Sequence, residues 1–328
     1  MPEVRVGIIG AGIMGSGHAR YLTHDVENAR VVALADMDRG RIEALATEIG
    51  GRIELFTEAE DFFASADVDA FLIASPDALH GDHIRLAMRR ELPTLCEKPL
   101  ATNIAEARTL AAEVSAFEAA KSKALFHFGF MRRFDPSYLE VKRLIETGDY
   151  GLPLFLRTST RNVESVGITT EGLLTNIAVH EFDVLRWLFK SEWESVTVQY
   201  PRSSSLSPAG LADPIMFTAK LQNGILVSAD IVANNHYGYD VRTEVVCERG
   251  SIEIGIHGDV ITRANHIAGV NRGGAMDENW IPKFTPAYIA ELKAWVTGII
   301  SGIPHPDLAT VTDGLAATEA CEMGLAAL

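Results

Sequence analysis

The sequence predicts an α/β protein in which a doubly wound parallel sheet is followed by an α+β domain with a large, open, mostly antiparallel sheet. In the first third of the chain, short apolar runs alternate with helical segments, as in parallel βαβ units. From Leu152 onward, successive strand-like segments alternate apolar and polar residues, which is typical of a sheet with one face in water. A length of 328 residues is sufficient for two hydrophobic cores.

The elements of the first domain follow one another in a regular order. Apolar, β-branched runs predict strands at residues 4–9, 30–35, 52–56, 69–74, 93–96 and 124–128. Helices are predicted at residues 16–22, 39–49, 79–90 and 103–119. The helix at 39–49, for example, carries Ile42, Leu45 and Ile49 at spacings of three and four.

The second domain is predicted to be rich in strands. Strands are expected at residues 152–161, 195–200, 215–221, 225–232, 241–246 and 251–256. Helices are expected at residues 176–189 and 287–300, the second with Thr285 as N-cap and Pro286 in the first turn. A polar break near residues 121–123 sets the predicted domains at 1–122 and 123–328.

Composition limits the classes of partner and the compartment. A net charge of −15 argues against binding to a nucleic-acid backbone or an anionic membrane surface. The three cysteines show no paired spacing, which fits a reducing compartment. No apolar run reaches the roughly 18 residues that a membrane span requires, and the N-terminus carries no targeting pattern. The expectation is a cytoplasmic protein.

A glycine-rich turn predicts the first binding site. Gly10-x-Gly12-x-x-Gly15 follows a predicted strand and begins a helix, which is the context of a dinucleotide-binding loop. The glycines allow a tight turn, close approach of the backbone to a pyrophosphate and close helix packing. Helix N-terminal amides then bind the anion. Ile13 and Met14, inside the loop, are expected to contact the cofactor, although a glycine turn without a ligand remains a plainer interpretation.

Asp36, at the end of the next predicted strand, indicates which dinucleotide is bound. A carboxylate at this position accepts hydrogen bonds from the adenosine ribose hydroxyls and repels a 2′-phosphate, which favours NAD. Arg39 and Arg41 lie close by in the sequence and leave NADP as the alternative.

Two further strand ends carry functional candidates. Glu97-Lys98-Pro99 follows a buried strand, and Ser75-Pro76 follows its neighbour, with His80 shortly after. In an open parallel sheet, ligands bind in the crevice beyond the strand C-termini. Ser75, Pro76, His80, Glu97 and Lys98 are therefore expected to line the nicotinamide end of the cofactor site.

With these motifs, the chain resembles the Gfo/Idh/MocA family of nicotinamide-dependent sugar and polyol oxidoreductases. The resemblance covers the whole chain and also rests on the segment at residues 180–188. Segments 129–136, 161–162 and 237–240 are most similar to the inositol 2-dehydrogenase branch. The family combines a Rossmann domain with a C-terminal domain whose open sheet commonly mediates dimers and tetramers, so the resemblance implies a homo-oligomer, with a homotetramer as the expectation.

The resemblance implies NAD-dependent oxidation of a secondary alcohol on a cyclic polyol or sugar, with an inositol as the first candidate and hydride transfer to nicotinamide C4. A histidine suits the removal of the hydroxyl proton, because its pKa lies near neutrality, and the family assigns this role to the position of His180. Lys98 would donate a hydrogen bond to the reacting oxygen and stabilise its alkoxide character. Glu97 would balance charge or contact the cofactor.

The chain departs from the inositol branch at two positions. Asn176 stands where relatives carry an aspartate, and Thr160 where they tend to carry a histidine. Because residues four apart share a helix face, Asn176 and His180 are both assigned to the site. Asn176 either leaves His180 a weaker base assisted by Lys98, or contacts a hydroxyl of a different polyol; it could also be a helix N-cap.

Arg132, Asn162 and Tyr237 are the remaining predicted substrate contacts, with surface or loop roles as the plain alternative. His80-x-x-His83 has helical spacing compatible with a metal, but a third ligand is missing, so no metal is expected. Three alternative functions stay open: a dehydrogenase of another pyranose, a glycosidase that retains its NAD, and a nucleotide-binding regulator without turnover.

Overall fold

The structure is a computed structural model that describes residues 3–255 and 277–326. These residues form two compact units, the first within the ranges Met1–Phe134 and Pro286–Glu319 and the second within the ranges Asp135–Thr285 and Ala320–Leu328. The last residue of the strand predicted at 251–256, Ile256, lies outside the described residues. Within the described part of the chain, no helix has the length and apolar character needed to cross a membrane.

The first unit contains a six-stranded parallel sheet in the order β3-β2-β1-β4-β5-β6. Its strands are β1 (Val4–Ile9), β2 (Ala29–Ala35), β3 (Glu54–Phe56), β4 (Ala70–Ile73), β5 (Thr94–Glu97) and β6 (Phe126–Gly129). This is the strand order of a dinucleotide-binding sheet, with the switch point between β1 and β4. The predicted doubly wound architecture is confirmed.

Five helices connect these strands: α1 (Ile13–His24), α2 (Arg39–Ile49), α3 (Ala59–Ser65), α4 (His80–Met88) and α5 (Ile104–Lys121). A hydrophobic core includes Leu34 and Leu72 from the sheet and Leu292 and Trp295 from the C-terminal segment. Burial of these C-terminal side chains explains why residues 286–319 belong to the first unit.

The second unit is built on a six-stranded sheet in the order β12-β11-β7-β10-β9-β8. Its strands are β7 (Pro153–Arg161), β8 (Trp193–Gln199), β9 (Ile215–Leu221), β10 (Leu226–Val232), β11 (Asp240–Cys247) and β12 (Gly250–Ile254). Among the described strands of this second sheet, only β7 and β10 pair in parallel, and every other pair is antiparallel. The predicted open, mostly antiparallel sheet is confirmed.

The remaining helical elements are α6 (Pro136–Thr147), the single turn α7 (Thr170–Gly172), a π-helical turn (Leu173–Ala178), α8 (Val179–Phe189), α9 (Trp280–Ser301) and α10 (Val311–Leu325). Three helices were absent from the sequence prediction, namely α3, α6 and α10. Two of them carry recognisable caps, because Asp135 Oδ1 accepts the Ser137 amide at 2.9 Å and the Thr310 amide donates to Asp313 Oδ2 at 2.7 Å.

Two predicted boundaries differ from the structure. Helix α9 begins at Trp280, and Asn279 Oδ1 accepts the Ile281 amide at 2.8 Å. The predicted cap at Thr285 is therefore wrong, and Pro286 lies inside the helix. The predicted domain division after residue 122 also differs from the compact units. Strand β6 pairs with β5 in the first sheet, and residues 286–319 return to the same unit.

Candidate functional site

The glycine loop between β1 and α1 is fixed by backbone packing at two of its three glycines. Gly10 has a φ of +92°, and a Cβ there would lie 2.3 Å from the Ala74 carbonyl oxygen. A Cβ at Gly15 would lie 1.7 Å from the Gly10 carbonyl oxygen. Any larger residue at either position would therefore displace the loop from the ends of β1 and β4.

Gly12 is different, because no atom of the described residues requires a glycine there. It is the N-cap of α1, and a Cβ built on it would meet no described atom within 4 Å. No side chain caps the helix, and its first turn carries no acidic residue. A bare backbone at a helix N-terminus suits close approach of a diphosphate, so these residues fit the dinucleotide that the loop implies.

Asp36 connects the end of β2 to this loop. Its Oδ2 accepts the Ala11 amide at 2.8 Å, and its Oδ1 accepts the Asp38 amide at 2.9 Å. Arg41 lies 3.4 Å from Oδ2, while the Asp36 side chain is only 9% exposed. These contacts hold the carboxylate in one orientation beside the loop, which is the position expected of a ribose-binding acid.

Two of the predicted residues after β4, Ser75 and His80, belong to a buried hydrogen-bonded group. His80, fully buried, contacts the Pro99 carbonyl oxygen through Nδ1 at 2.8 Å and the Ser75 carbonyl oxygen through Nε2 at 3.0 Å. Ser75 Oγ and His83 Nδ1 lie 2.9 Å apart, and burial lowers the pKa of His83 to about 4. His80 thus joins the segments that follow β4 and β5. The histidine pair has no metal-site partners among the described residues.

Lys98 and Glu97 lie at the C-terminal end of β5, where the sheet predicts ligand contacts. Lys98 is partly exposed, whereas Glu97 is 8% exposed and its Oε1 lies 2.6 Å from His18 Nε2. The sequence prediction did not include His18. Its position three residues after Gly15 gave no signal without the fold, because a helical histidine is more often a packing residue.

In the second unit, Asn176 and His180 follow each other along one helical segment. Asn176 lies in the π-helical turn and is exposed, while His180 lies in the first turn of α8 and is partly exposed. Asn176 is therefore not the N-cap of α8. Single π turns inside α-helices frequently occur at functional sites, which is consistent with a role for this turn.

Thr160, the second departure from the inositol branch, faces the helix that carries His180. Its hydroxyl donates to Oε1 of the fully buried Glu181, the residue after His180. Asp183 on the same helix is also buried, and Arg186 contacts both carboxylate oxygens of Glu192 at 2.7 Å. Thr160 thus connects β7 to α8 inside the second unit.

The predicted substrate contacts Asn162 and Tyr237 are hydrogen-bonded near the end of β7. Asn162 donates to Ser165 Oγ at 2.9 Å. The Tyr237 hydroxyl accepts from Arg161 at 3.2 Å and donates to Asp240 at 3.2 Å, although the residue is 52% exposed. Both side chains are thus hydrogen-bonded to other polar groups of the second unit. Their contact with substrate stays a prediction.

Arg132 differs from the other predicted substrate contacts because it belongs to the first unit and is 1% exposed. Its neighbour Arg133 is equally buried and pairs with Asp313 at 3.2 Å. Arg132 is therefore not the surface residue that the sequence left as the alternative. This burial favours a structural role, and substrate contact by Arg132 stays a prediction.

Two family models match this chain. Residues 4–124 match the model described as the oxidoreductase family with an NAD-binding Rossmann fold. Residues 138–253 match the GFO/IDH/MocA C-terminal domain.

Similar proteins are named as inositol dehydrogenases. Inositol 2-dehydrogenase 1 of Saccharopolyspora erythraea is 39% identical over 325 residues, which cover 99% of this chain and 94% of the relative. The solved myo-inositol dehydrogenase of Lactobacillus casei, in complex with NAD(H) and myo-inositol, has a TM-score of 0.90 and 29% identity, covering 99% of this chain and 94% of its own. The scyllo-inositol dehydrogenase of the same organism, at 24% identity with a TM-score of 0.84 and coverage of 99% and 97%, shares the fold.

Proposed function

The chain belongs to the Gfo/Idh/MocA oxidoreductase family, and we propose that it is an NAD-dependent dehydrogenase that oxidises a secondary alcohol of a cyclic polyol, with an inositol as substrate. The family assignment rests on two family models and on 39% identity to an inositol 2-dehydrogenase across 99% of the chain. The relative solved with NAD(H) and myo-inositol supports the choice of both cofactor and substrate.

The observation that carries the cofactor assignment is the loop at Gly10, Gly12 and Gly15 with its hydrogen bond from Ala11 to Asp36. Gly12 and the helix N-terminus would bind the diphosphate, and Asp36 would bind the adenosine ribose. A 2′-phosphate would meet the Asp36 carboxylate, which favours NAD over NADP. When bound, NAD supplies the hydride acceptor.

The remaining chemistry belongs to the side chains of this chain. His180 is the proposed base that accepts the hydroxyl proton, and Lys98 the proposed donor to the reacting oxygen. Asn176 is proposed to orient the imidazole of His180 or to contact a second hydroxyl of the substrate. Asn162 and Tyr237 are proposed to bind further hydroxyl groups, since amides and hydroxyls suit an uncharged polyhydroxylated ring.

A screen of the purified protein tests the proposed reaction. NADH formation is followed by its absorbance with NAD or NADP and a panel of inositols, aldohexoses and glycosides. We expect NADH with at least one inositol, and higher kcat/KM with NAD than with NADP. Tight NAD binding without NADH from any polyol would contradict the proposal, and glycoside hydrolysis without net NADH would identify a glycosidase instead.

We also propose that the chain forms a homo-oligomer, with a homotetramer as the specific expectation. On the second sheet, Leu226 of β10 pairs with Phe155 of β7, which pairs with Val246 of β11. Paired residues share a face, so three apolar side chains lie together, and Leu226 is 56% exposed. Light scattering should give the mass of an oligomer for the wild type and a smaller mass for Leu226→Glu; a wild-type monomer would contradict the proposal.

A cytoplasmic location is proposed on separate grounds. Cys96, Cys247 and Cys321 are all buried, and none of them forms a disulfide among the described residues. Burial raises the pKa of the Cys96 and Cys247 thiols, which keeps them protonated and unreactive. Free cysteines are characteristic of a reducing compartment, and fractionation of the native host cells tests the location.

A further inference from the structure

A buried histidine and a buried carboxylate form a pair next to the proposed catalytic lysine. His18 lies on α1, and Glu97 is the last residue of β5. His18 Nε2 and Glu97 Oε1 are 2.6 Å apart, and the two residues are 1% and 8% exposed. The pair belongs entirely to the first unit, and the proposed mechanism assigns no role to His18.

Neighbouring groups hold both members of this pair in place. The His18 ring makes an edge-on contact with Tyr288, with ring centroids 5.6 Å apart. Glu97 lies against the backbone of Gly129, where an added Cβ would come within 3.0 Å of the carboxylate oxygen Oε2. The carboxylate therefore has little freedom to turn away from His18.

The surroundings of His18 determine the charge of the pair. His18 Nδ1 is buried and has no hydrogen-bond partner among the described residues. A proton on Nδ1 would leave a buried N–H unsatisfied, which costs about 1–3 kcal/mol. The favourable form is a neutral imidazole whose Nε2–H donates to an ionised Glu97. The pair then carries one fixed negative charge.

This charge lies at the edge of the sheet where the cofactor is proposed to bind. Glu97 ends β5, on the nicotinamide side of the switch point between β1 and β4, and it directly precedes Lys98. The oxidised nicotinamide ring is cationic and the reduced ring is neutral. Coulombic energies superpose, so the ammonium of Lys98 does not remove the preference of the Glu97 anion for the cation.

We infer that His18 is a positioning residue that, by donating to Glu97, fixes a buried anion that favours the oxidised over the reduced nicotinamide cofactor. The inference rests on the proposed function, because it requires NAD to bind in this loop. It extends the proposed site by a residue that never touches substrate and acts through the Glu97 carboxylate.

Affinities for the two redox forms test the inference without using turnover. Dissociation constants for NAD, by calorimetry, and for NADH, by fluorescence titration, are measured for the wild type, Glu97→Gln, His18→Leu and His18→Gln. Glu97→Gln should raise the ratio of the NAD to the NADH constant about tenfold, the value expected for one charge at roughly 10 Å with an effective dielectric constant of about 20. His18→Leu should raise the ratio severalfold, and His18→Gln, which keeps a donor, should restore it.

Two controls separate this role from a structural one. Glu118 also carries a hydrogen-bonded carboxylate in the first unit, but it accepts the Leu125 and Phe126 amides at the N-terminal end of β6. Glu118→Gln should therefore leave the ratio unchanged. If His18→Leu does not fold, the near-isosteric Glu97→Gln decides the question.

An unchanged ratio in Glu97→Gln, equal changes of both constants in His18→Leu, or a failure of His18→Gln to restore the ratio would overturn the inference. A failure of the proposed function would give a different result. The wild type would then bind neither form of the cofactor, or would bind both forms without oxidising any polyol.

Discussion

The nucleotide loop of the first unit and the His180 segment of the second unit are built in different ways. In the loop, backbone groups are proposed to bind the cofactor, and Gly10 and Gly15 are required by contacts of 2.3 and 1.7 Å that a Cβ would make. In the second unit, side chains are proposed to carry the chemistry, and a π-helical turn that contains Asn176 precedes His180. A backbone site is visible in the sequence as glycines, whereas a side-chain site depends on local geometry that the sequence does not show.

The largest expected effect comes from the side-chain site. His180→Ala should lower kcat about 10²- to 10⁴-fold, because the proposed base for the hydroxyl proton is lost. The dissociation constant for NAD should stay near the wild-type value, since the loop proposed to bind NAD lies in the other unit. Steady-state kinetics and calorimetry measure the two quantities.

His24→Ala provides the matched control, because His24 is an exposed histidine at the end of α1. It should leave both kcat and NAD affinity unchanged. A normal rate in His180→Ala would move the proton acceptor to Lys98 or to water.

The sequence-based predictions agree best with the structure where backbone geometry determines the position of a residue. The glycine loop, Asp36 and the strand ends were predicted and lie as expected, because turn geometry and the parallel strand order fix them. Asn103, at the start of its predicted helix, is also the cap, accepting the Glu106 amide at 2.9 Å.

The sequence was less informative where a distant residue supplies the partner. The burial of His80 between two carbonyl oxygens and the pairing of His18 with Glu97 both join segments that are far apart in the chain. Helix α9 begins earlier than predicted because Asn279, rather than Thr285, caps it. Local periodicity cannot identify such partners, since tertiary contacts decide them.

The next largest expected effects are on stability and NAD affinity, and they concern two glycines of the loop. Gly10→Ala should destabilise the protein by about 2 kcal/mol or more, because alanine would adopt a φ of +92° and clash with the Ala74 carbonyl. Gly12→Ala, with a φ of −72° and open space around it, should fold normally and lose NAD affinity about tenfold or more.

Thermal unfolding and NAD titration of the two variants separate packing from binding. Normal NAD affinity in Gly12→Ala would contradict the assignment of this backbone to the diphosphate. Normal stability in Gly10→Ala would show that the loop adapts to a side chain.

A smaller effect tests the attachment of residues 286–319 to the first unit. Burial alone would raise the pKa of Asp313, but the charge of Arg133 and hydrogen bonds from Thr310 outweigh it and lower the pKa to about 2. The folded pKa lies below the unfolded value of about 3.9, so this stability is present above about pH 4 and is lost as the pH falls towards 2. Asp313→Asn should therefore cost about 2 kcal/mol at neutral pH.

Urea unfolding at neutral pH and at about pH 3 measures this difference, which should shrink on acidification. Asp82→Asn is the control, because its side chain is 77% exposed and lies 3.6 Å from Arg85. It should change stability by less than about 0.5 kcal/mol at either pH. A pH-independent cost in Asp313→Asn would indicate lost packing rather than a lost ion pair.

The smallest expected effect, at Asn176, bears most directly on the side-chain site. A carboxylate one turn before His180 would stabilise an imidazolium, so Asn176→Asp should raise kcat for inositol about two- to fivefold and move the acidic limb of the kcat/KM profile to higher pH. Asn223→Asp is the control, because Asn223 contacts the Phe189 carbonyl at the opposite end of α8. A changed order of preferred polyols with an unshifted pH profile would instead make Asn176 a substrate contact.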